Sequence, residues 1–218
     1  GAPASLDAIF DARPEVLNHN IESVARLQRA VRPSAGYARS LSVLARAKAE
    51  DVVSTIEADE TGDTDGADET DDLPDDLLVL GCDSVLELDG EVHGKPADAA
   101  EAVERWRRMR GRTGTLHTGH WLVDARHADD GGTGGMVGGT ASTVVHFADL
   151  DDDEVEAYIA TGEPLAVAGA FTIDGLGGPY VTAIEGDPST VVGVSLPLLR
   201  ELVRELGLAW HDLRTPTP

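Results

Sequence analysis

Hydrophobic and polar positions follow two different patterns along the chain, and the pattern changes at a long acidic stretch. Before that stretch, apolar residues recur about every 3.6 positions, a spacing typical of amphipathic helices. It predicts one helix at residues 21–31, ended by Arg32-Pro33, and a second helix from residue 41 to residue 52 or 53. After the acidic stretch, short apolar runs alternate with helical segments.

The second half of the chain is therefore predicted to form strands and helices in alternation. Strands are expected at residues 77–80, 85–88, 91–93, 115–123, 140–147, 171–173 and 181–184, and helices at residues 96–110, 151–161 and 197–206. Asp89-Gly90 between two short runs predicts a hairpin with a type I′ turn, and the glycines of residues 131–139 predict a flexible loop. The expected fold class is α/β, with a mixed twisted sheet and flanking helices.

Composition and charge narrow the classes of function. The chain has 218 residues, 41% of them hydrophobic, which is enough for the core of one domain or of two small ones. Its net charge of −23 disfavours nucleic-acid and membrane partners, and no apolar run approaches the roughly 20 residues of a membrane span. The single cysteine, Cys82, excludes an internal disulfide and suits a reducing compartment, so we expect a cytoplasmic protein.

Residues 54–76 contain the acidic stretch. Between residues 57 and 76 there are eleven Asp or Glu residues and no Lys or Arg. Such a segment repels itself and cannot bury enough apolar surface to offset the entropy of ordering. We expect a disordered surface loop, in preference to a cation-binding tract.

Two constellations carry candidate chemistry. Asp83 ends an apolar run, and Lys95 follows the predicted hairpin just before a helix. An Asp can hold a divalent cation or activate water, and a Lys can neutralise phosphate oxygens, although spacing alone favours a solvated turn. The second constellation is the glycine-rich segment of residues 162–175 with residues 185–187, where glycines indicate either close backbone approaches or ordinary loops.

Two further groups of residues are better explained by a structural role than by a functional one. His117 and His120 lie three positions apart on a predicted strand and so face opposite sides, which favours packing or surface histidines over a metal site. A cluster of arginines could steer phosphate, but a solvated helix face is the preferred interpretation. Its members are Arg105, Arg107, Arg108, Arg110 and Arg112.

Four segments, in order, resemble the Maf family of nucleoside triphosphate pyrophosphatases. They are LARAKAEDVV at residues 44–53, GCDSVLELDGEVHGKP at 81–96, RWRRMRGRTGTLHTG at 105–119, and GEPLAVAGAFTIDGLGGPYVTAIEGDPSTVVGVSLPLL at 162–199. The resemblance covers roughly residues 44–213. It implies a nucleotide cleft between two lobes, and hydrolysis of nucleoside triphosphates, non-standard ones included, to a monophosphate and pyrophosphate. It also implies a divalent cation, Mg²⁺ or Mn²⁺, and is compatible with a homodimer.

The resemblance also implies roles for individual residues. By position, Asp83 matches the family's catalytic base and metal ligand, while Lys48 and Lys95 match its phosphate-contacting lysines. Ser84 matches a position associated with substrate choice. Asp174 stands where many members have Gln, so the preferred base stays open.

Residues 1–43 depart from the family and are predicted to form an atypical helical segment before a domain at residues 44–218. They lack the family's opening Ser-x-Ser-Pro-Arg-Arg loop. Residues 7–44 instead resemble an internal segment of lipoyl synthases, whose cluster-binding cysteines are absent here, which suggests a gene fusion. The alternative function is therefore a nucleotide-binding module with little or no turnover.

Overall fold

The structure, a computed structural model, describes residues 35–60 and 77–213. The helix predicted at residues 21–31 and the acidic residues 61–76 lie outside these ranges. The described elements are α1 (Ala35–Glu60), β1 (Leu78–Leu88), β2 (Glu91–His93), α2 (Ala99–Met109), β3 (Thr113–Asp124), β4 (Met136–Phe147), α3 (Asp152–Ala160), β5 (Val181–Glu185), α4 (Pro188–Val192) and α5 (Leu196–Glu205).

The strands form one five-stranded sheet in the order β2-β1-β3-β4-β5, with every neighbouring pair antiparallel. Helices lie against it, which confirms the mixed α/β class. Within the described residues, no helix is both long enough and apolar enough to cross a membrane.

Successive side chains of a strand point to opposite faces of a sheet, and the two faces here are covered differently. Helix α1 covers one face, where Val79 packs near Ala49 and Val85 near Leu41. The other face carries the main core, built around the fully buried Trp106 of α2. On that second face α5 also packs, through Leu202 against Leu122.

Two glycines allow α1 to lie directly on the sheet. A Cβ atom at Gly81 would lie 2.0 Å from the carbonyl oxygen of Ala45, and one at Gly119 would lie 2.6 Å from the carbonyl carbon of Leu41. Real Cβ atoms do not approach backbone this closely, so only glycine fits at these positions. The backbone of α1 is thus held unusually near β1 and β3.

Several predicted elements are confirmed, with shifted ends. Asp89 and Gly90 have φ angles of 53° and 76°, as a type I′ turn requires. Helix α1 includes the predicted helix at residues 41–53 but runs on to Glu60, so its last seven residues overlap the stretch expected to be disordered. The same helix also spans the boundary predicted between residues 43 and 44.

Other expectations were wrong. Residues 171–173 form no strand, because Ala170 has a positive φ of 59° and Phe171 turns inward to meet Phe147 edge-on at a centroid distance of 5.0 Å. Residues 136–139 belong to β4 rather than to a flexible loop. Gly138 is needed in that strand, since a Cβ there would lie 2.1 Å from the ring of Trp121.

Candidate functional site

The close packing of α1 on the sheet brings Lys48 to Asp83. The ammonium Nζ of Lys48 donates to Oδ1 of Asp83 at 2.9 Å and to the carbonyl oxygen of Cys82 at 3.2 Å. The side chains of the two charged residues are 55% and 25% exposed, respectively, so both can meet a ligand from solvent. Two residues predicted from separate motifs therefore form one ion pair.

Asp83 and Ser84 point to opposite faces of the sheet. Asp83 pairs in register with Gly119, in the row of β1 residues that faces α1. Ser84 pairs with Thr118 on the other face, and the two hydroxyl oxygens lie 2.8 Å apart. The structure thus separates Ser84 from the Lys48–Asp83 pair, although the two are adjacent in sequence.

Lys95 is exposed and follows the β1–β2 hairpin. The residue before it is anchored, because the carbonyl oxygen of Gly94 accepts from the backbone N–H of Gly169 at 3.0 Å and from the guanidinium of Arg105. Arg105 is only 3% exposed, which corrects its assignment to a solvated face. These bonds tie the Lys95 turn to the glycine-rich segment at residues 162–175.

Asp174 is exposed, and it lies on a loop whose backbone is hydrogen-bonded to Glu163. The Glu163 carboxylate accepts from the hydroxyl of Thr172 and from the backbone N–H groups of Leu176, at 2.9 Å, and Gly177, at 3.0 Å. These bonds, that from Thr172 first, hold the pKa of the Glu163 carboxyl below its ordinary value. The loop that carries Asp174 is therefore organised around the Glu163 carboxylate.

The other four arginines of the cluster are paired with carboxylates. Arg108 bonds Glu91 at 2.6 Å, and Arg110 bonds Asp152 at 2.6 Å. Arg107 pairs with Glu104 and Arg112 with Asp89. The expectation that these arginines form a solvated surface, rather than a phosphate site, agrees with this pairing.

His117 and His120 face opposite sides of the sheet, as predicted. His117 contacts Ser142 at 2.7 Å and Glu87 at 3.1 Å on the α1 face. His120 is fully buried on the other face and contacts the carbonyl oxygen of Thr118 at 3.0 Å. Burial lowers the pKa of His120 below 6.5, so its ring is neutral at neutral pH.

A divalent cation fits the site only in a restricted way. The described residues contain no group of three or more His, Cys, Asp or Glu side chains that could hold a metal ion. Mg²⁺ is commonly bound by one or two carboxylates together with substrate phosphates and water, and the Asp83 carboxylate meets that requirement. Cys82 does not contribute, because burial raises the pKa of its thiol to about 11.

Two residues beside the predicted site were missed from the sequence. Thr118 and Glu163 each make hydrogen bonds that organise a segment carrying a predicted site residue. Neither stands out by type or spacing, since a threonine in a strand and a glutamate before a proline are common. The sequence marks them only by their place in segments 105–119 and 162–199, which resemble the Maf family.

Comparison with known proteins gives a consistent result. The family described as Maf-like protein matches residues 6–206. Proteins named nucleoside triphosphate pyrophosphatase are similar to this chain. In Salinispora tropica the identity is 64% over 131 residues, 60% of this chain and 55% of that protein. For the protein of Leifsonia xyli the identity is 51% over 173 residues, which is 79% of this chain and 73% of that protein. For the protein of Mycobacterium marinum the identity is 45% over 191 residues, which is 85% of this chain and 80% of that protein.

These comparisons also bear on the beginning of the chain. The family match starts at residue 6 and includes the segment at residues 7–44. The resemblance of that segment to lipoyl synthases, and with it a gene fusion, is not supported. The aligned part spans between 55% and 80% of the three relatives.

Proposed function

The chain belongs to the Maf-like protein family, and from that premise we propose that it hydrolyses nucleoside triphosphates to a nucleoside monophosphate and pyrophosphate. The observation that carries the proposal is the Lys48–Asp83 pair, with 2.9 Å between ammonium and carboxylate, at a solvent-accessible point of the sheet. A carboxylate beside a cation is suited to activating water next to a polyanionic substrate. The names of the similar proteins favour turnover over the alternative of binding alone.

Asp83 would act as the general base. Its carboxylate accepts a proton from water as the water oxygen bonds to the α-phosphorus, and the bond from that phosphorus to the bridging oxygen breaks to release pyrophosphate. A bound Mg²⁺ or Mn²⁺, held by Asp83 and phosphate oxygens, would supply charge neutralisation for the leaving group. Asp83 thus has to be ionised and correctly oriented when the water attacks.

The two lysines would bind the phosphates. Lys48 can exchange part of its contact with Asp83 for a phosphate oxygen, because its ammonium has three donors and its side chain is 55% exposed. Lys95, on the anchored turn after β2, would bind a second phosphate oxygen. Both cations favour the transition state, in which negative charge moves toward the leaving pyrophosphate.

The remaining parts of the proposal concern the base and the assembly. Asp174, on the loop held by Glu163, would contact the nucleobase. The preferred base is left open by the Asp at this position. A cytoplasmic location and a homodimer remain predictions.

The test is pyrophosphate release from a panel of standard and non-standard nucleoside triphosphates with excess Mg²⁺. We expect turnover by the natural chain and at least about 10²-fold lower kcat for Asp83→Asn, as is typical for loss of a general base. Asp153→Asn, an exposed Asp on α3, is the matched control and should keep full activity. Binding of nucleotides without any pyrophosphate release would overturn the proposal.

A further inference from the structure

Ser84 begins a series of hydrogen bonds on the face of the sheet opposite α1. The Thr118 hydroxyl donates to the carbonyl oxygen of Thr190 at 3.2 Å. A hydroxyl has a single hydrogen, so the 2.8 Å contact between Ser84 and Thr118 must be a donation from Ser84. The order of donation is therefore Ser84 to Thr118 to the backbone of α4.

A ligand on the side of the sheet where Asp83 lies cannot reach these hydrogen bonds. Thr118 and Thr190 are both fully buried. The hydroxyl of Ser84 points into the same space, because Ser84 shares a sheet face with Thr118 and not with Asp83. Ser84 itself is half-buried, and the route that these hydrogen bonds provide from position 84 into the fold runs through Thr118.

Adjacent register pairs of β1 and β3 are held from opposite sides. The pair Asp83–Gly119 lies under α1, where Gly119 touches the backbone of Leu41. The next pair, Ser84–Thr118, is anchored to α4 from below. Rotation of β1 about its own axis would break the lower bonds and swing the Asp83 carboxylate relative to Lys48.

We propose that Thr118 is a positioning residue for Asp83, acting through Ser84 and the rotation of β1. The proposal rests on the proposed function, since its consequence is a change in turnover. A displacement of about 1 Å at a reacting group can cost as much as 10²-fold in rate, so the loss of one anchoring hydroxyl should be measurable. Ser84 then influences the substrate only indirectly.

Thr118→Val tests this proposal, because it keeps the shape of the side chain and removes the hydroxyl. It removes the acceptor of the Ser84 hydroxyl and one of the two donors to the Thr190 carbonyl oxygen, which keeps its 3.2 Å bond from the backbone N–H of Gly193. We expect kcat to fall about tenfold with little change in KM. Thr118→Ser should restore kcat, since it keeps the hydroxyl. Ser84→Ala breaks only one bond of the chain and should lower kcat less than Thr118→Val.

Thr143→Val is the matched control. Thr143 is another fully buried threonine on the same face, and it donates to the carbonyl oxygen of Asp187 at 2.9 Å without touching β1. We expect both valine variants to lower Tm, but only Thr118→Val to lower kcat. All assays are run well below the Tm of the weakest variant.

Three results separate the possible failures. Absence of pyrophosphate release by the natural chain would refute the proposed function and not the geometry. An active natural chain whose Thr118→Val and Thr143→Val variants lose only stability would overturn the positioning role. A rise in KM for Ser84→Ala larger than that for Thr118→Val would show direct contact of Ser84 with substrate and would also overturn it. If Thr118→Val does not fold, Ser84→Ala decides: a lower kcat with little change in KM supports the positioning role, and an unchanged kcat overturns it.

Discussion

The imidazole Nε2 of His120 accepts a hydrogen bond from the backbone N–H of Ser195 at 2.8 Å. Ser195 is the N-cap of α5, so a histidine on β3 completes the N-terminus of a helix 75 residues later in the sequence. Acceptance at Nε2 requires that the proton lie on Nδ1, which donates to the carbonyl oxygen of Thr118. The junction between sheet and helix thus depends on a neutral ring.

Stability should therefore fall as the pH is lowered, and the part of this fall that is due to His120 should be absent in His120→Gln. The folded-state pKa of His120 lies below its ordinary 6.5, so the unfolded chain takes up a proton first as the pH drops. The stabilisation is complete above pH 6.5 and is lost progressively below it. We expect the free energy of unfolding to exceed that of His120→Gln by about 1 kcal/mol at pH 8, the usual worth of a buried hydrogen bond.

Urea unfolding of both proteins between pH 8 and pH 5 measures this difference. Comparing the two cancels the contribution of the many acidic residues, which both proteins share. His127→Gln, at an exposed position, is the control and should run parallel to the natural chain. A difference for His120→Gln that stays constant down to pH 5 would contradict the neutral-ring interpretation.

Gly81→Ala should destabilise the fold and also weaken catalysis. The new Cβ would meet the carbonyl oxygen of Ala45 at 2.0 Å, so α1 must move outward, at a typical cost of about 1–3 kcal/mol for overpacking. Because α1 carries Lys48, activity at a temperature where the variant is folded should fall as well. Thermal unfolding and pyrophosphate release check the two effects.

Gly139→Ala is the matched control for that experiment. It is also a strand glycine, but the nearest atom to its new Cβ is the end of the flexible Leu198 side chain, at 3.2 Å. We expect a small change in Tm and unaltered kcat. Equal effects of the two alanines would mean that contact with α1 is not what requires Gly81.

The sequence was sufficient for the elements that obey local rules. Asp89-Gly90 predicted its hairpin because two positive φ angles are needed there, and the alternation of β3 placed His117 and His120 on opposite faces. Family resemblance singled out Lys48 and Asp83, which the structure brings together. Spacing alone favours a solvated turn for Asp83 and Lys95 and does not point to Lys48.

The remaining features depend on contacts between distant residues. Phe171 looked like part of a strand, but its ring is drawn into the core against Phe147. A glycine at position 138 predicts a loop from the sequence alone. Its place in β4 is explained only by the ring of Trp121, which leaves no room for a side chain. Ser84 is adjacent to Asp83 in the sequence, and only the packing of α1 on β1 and β3 shows which of the two side chains lies on the Lys48 side of the sheet.

Glu163→Gln should loosen the loop that carries Asp174. The amide would replace one of the two carboxylate oxygens, which accept separately from the N–H groups of Leu176 and Gly177, with a donor group, and it would remove the negative charge that both N–H groups face. We expect faster hydrogen exchange at those two amides and a higher KM for nucleotide, with a smaller change in kcat. Glu156→Gln, an exposed position on α3, should change neither quantity. Unchanged exchange would show that other contacts hold the loop.

Lys48→Met should weaken substrate binding far more than it weakens the fold. The Lys48–Asp83 pair is partly exposed, and such pairs contribute at most about 1 kcal/mol to stability, so Tm should change little. The lost ammonium, by contrast, would leave both the carboxylate and the incoming triphosphate without a counter-charge, and we expect kcat/KM to fall by at least tenfold. Lys48→Arg should recover part of the loss, because it restores the charge but not the compact shape of the ammonium. Arg200→Met on α5 is the matched control: it removes one exposed positive charge on the opposite face of the sheet and should leave kcat/KM unchanged. Measuring kcat/KM at several salt concentrations adds a second criterion, since screening should reduce the activity of the natural chain more steeply than that of Lys48→Met. Equal activity and equal salt dependence for Lys48→Met and the natural chain would mean that the 2.9 Å contact with Asp83 is structural, and that the phosphates are bound elsewhere.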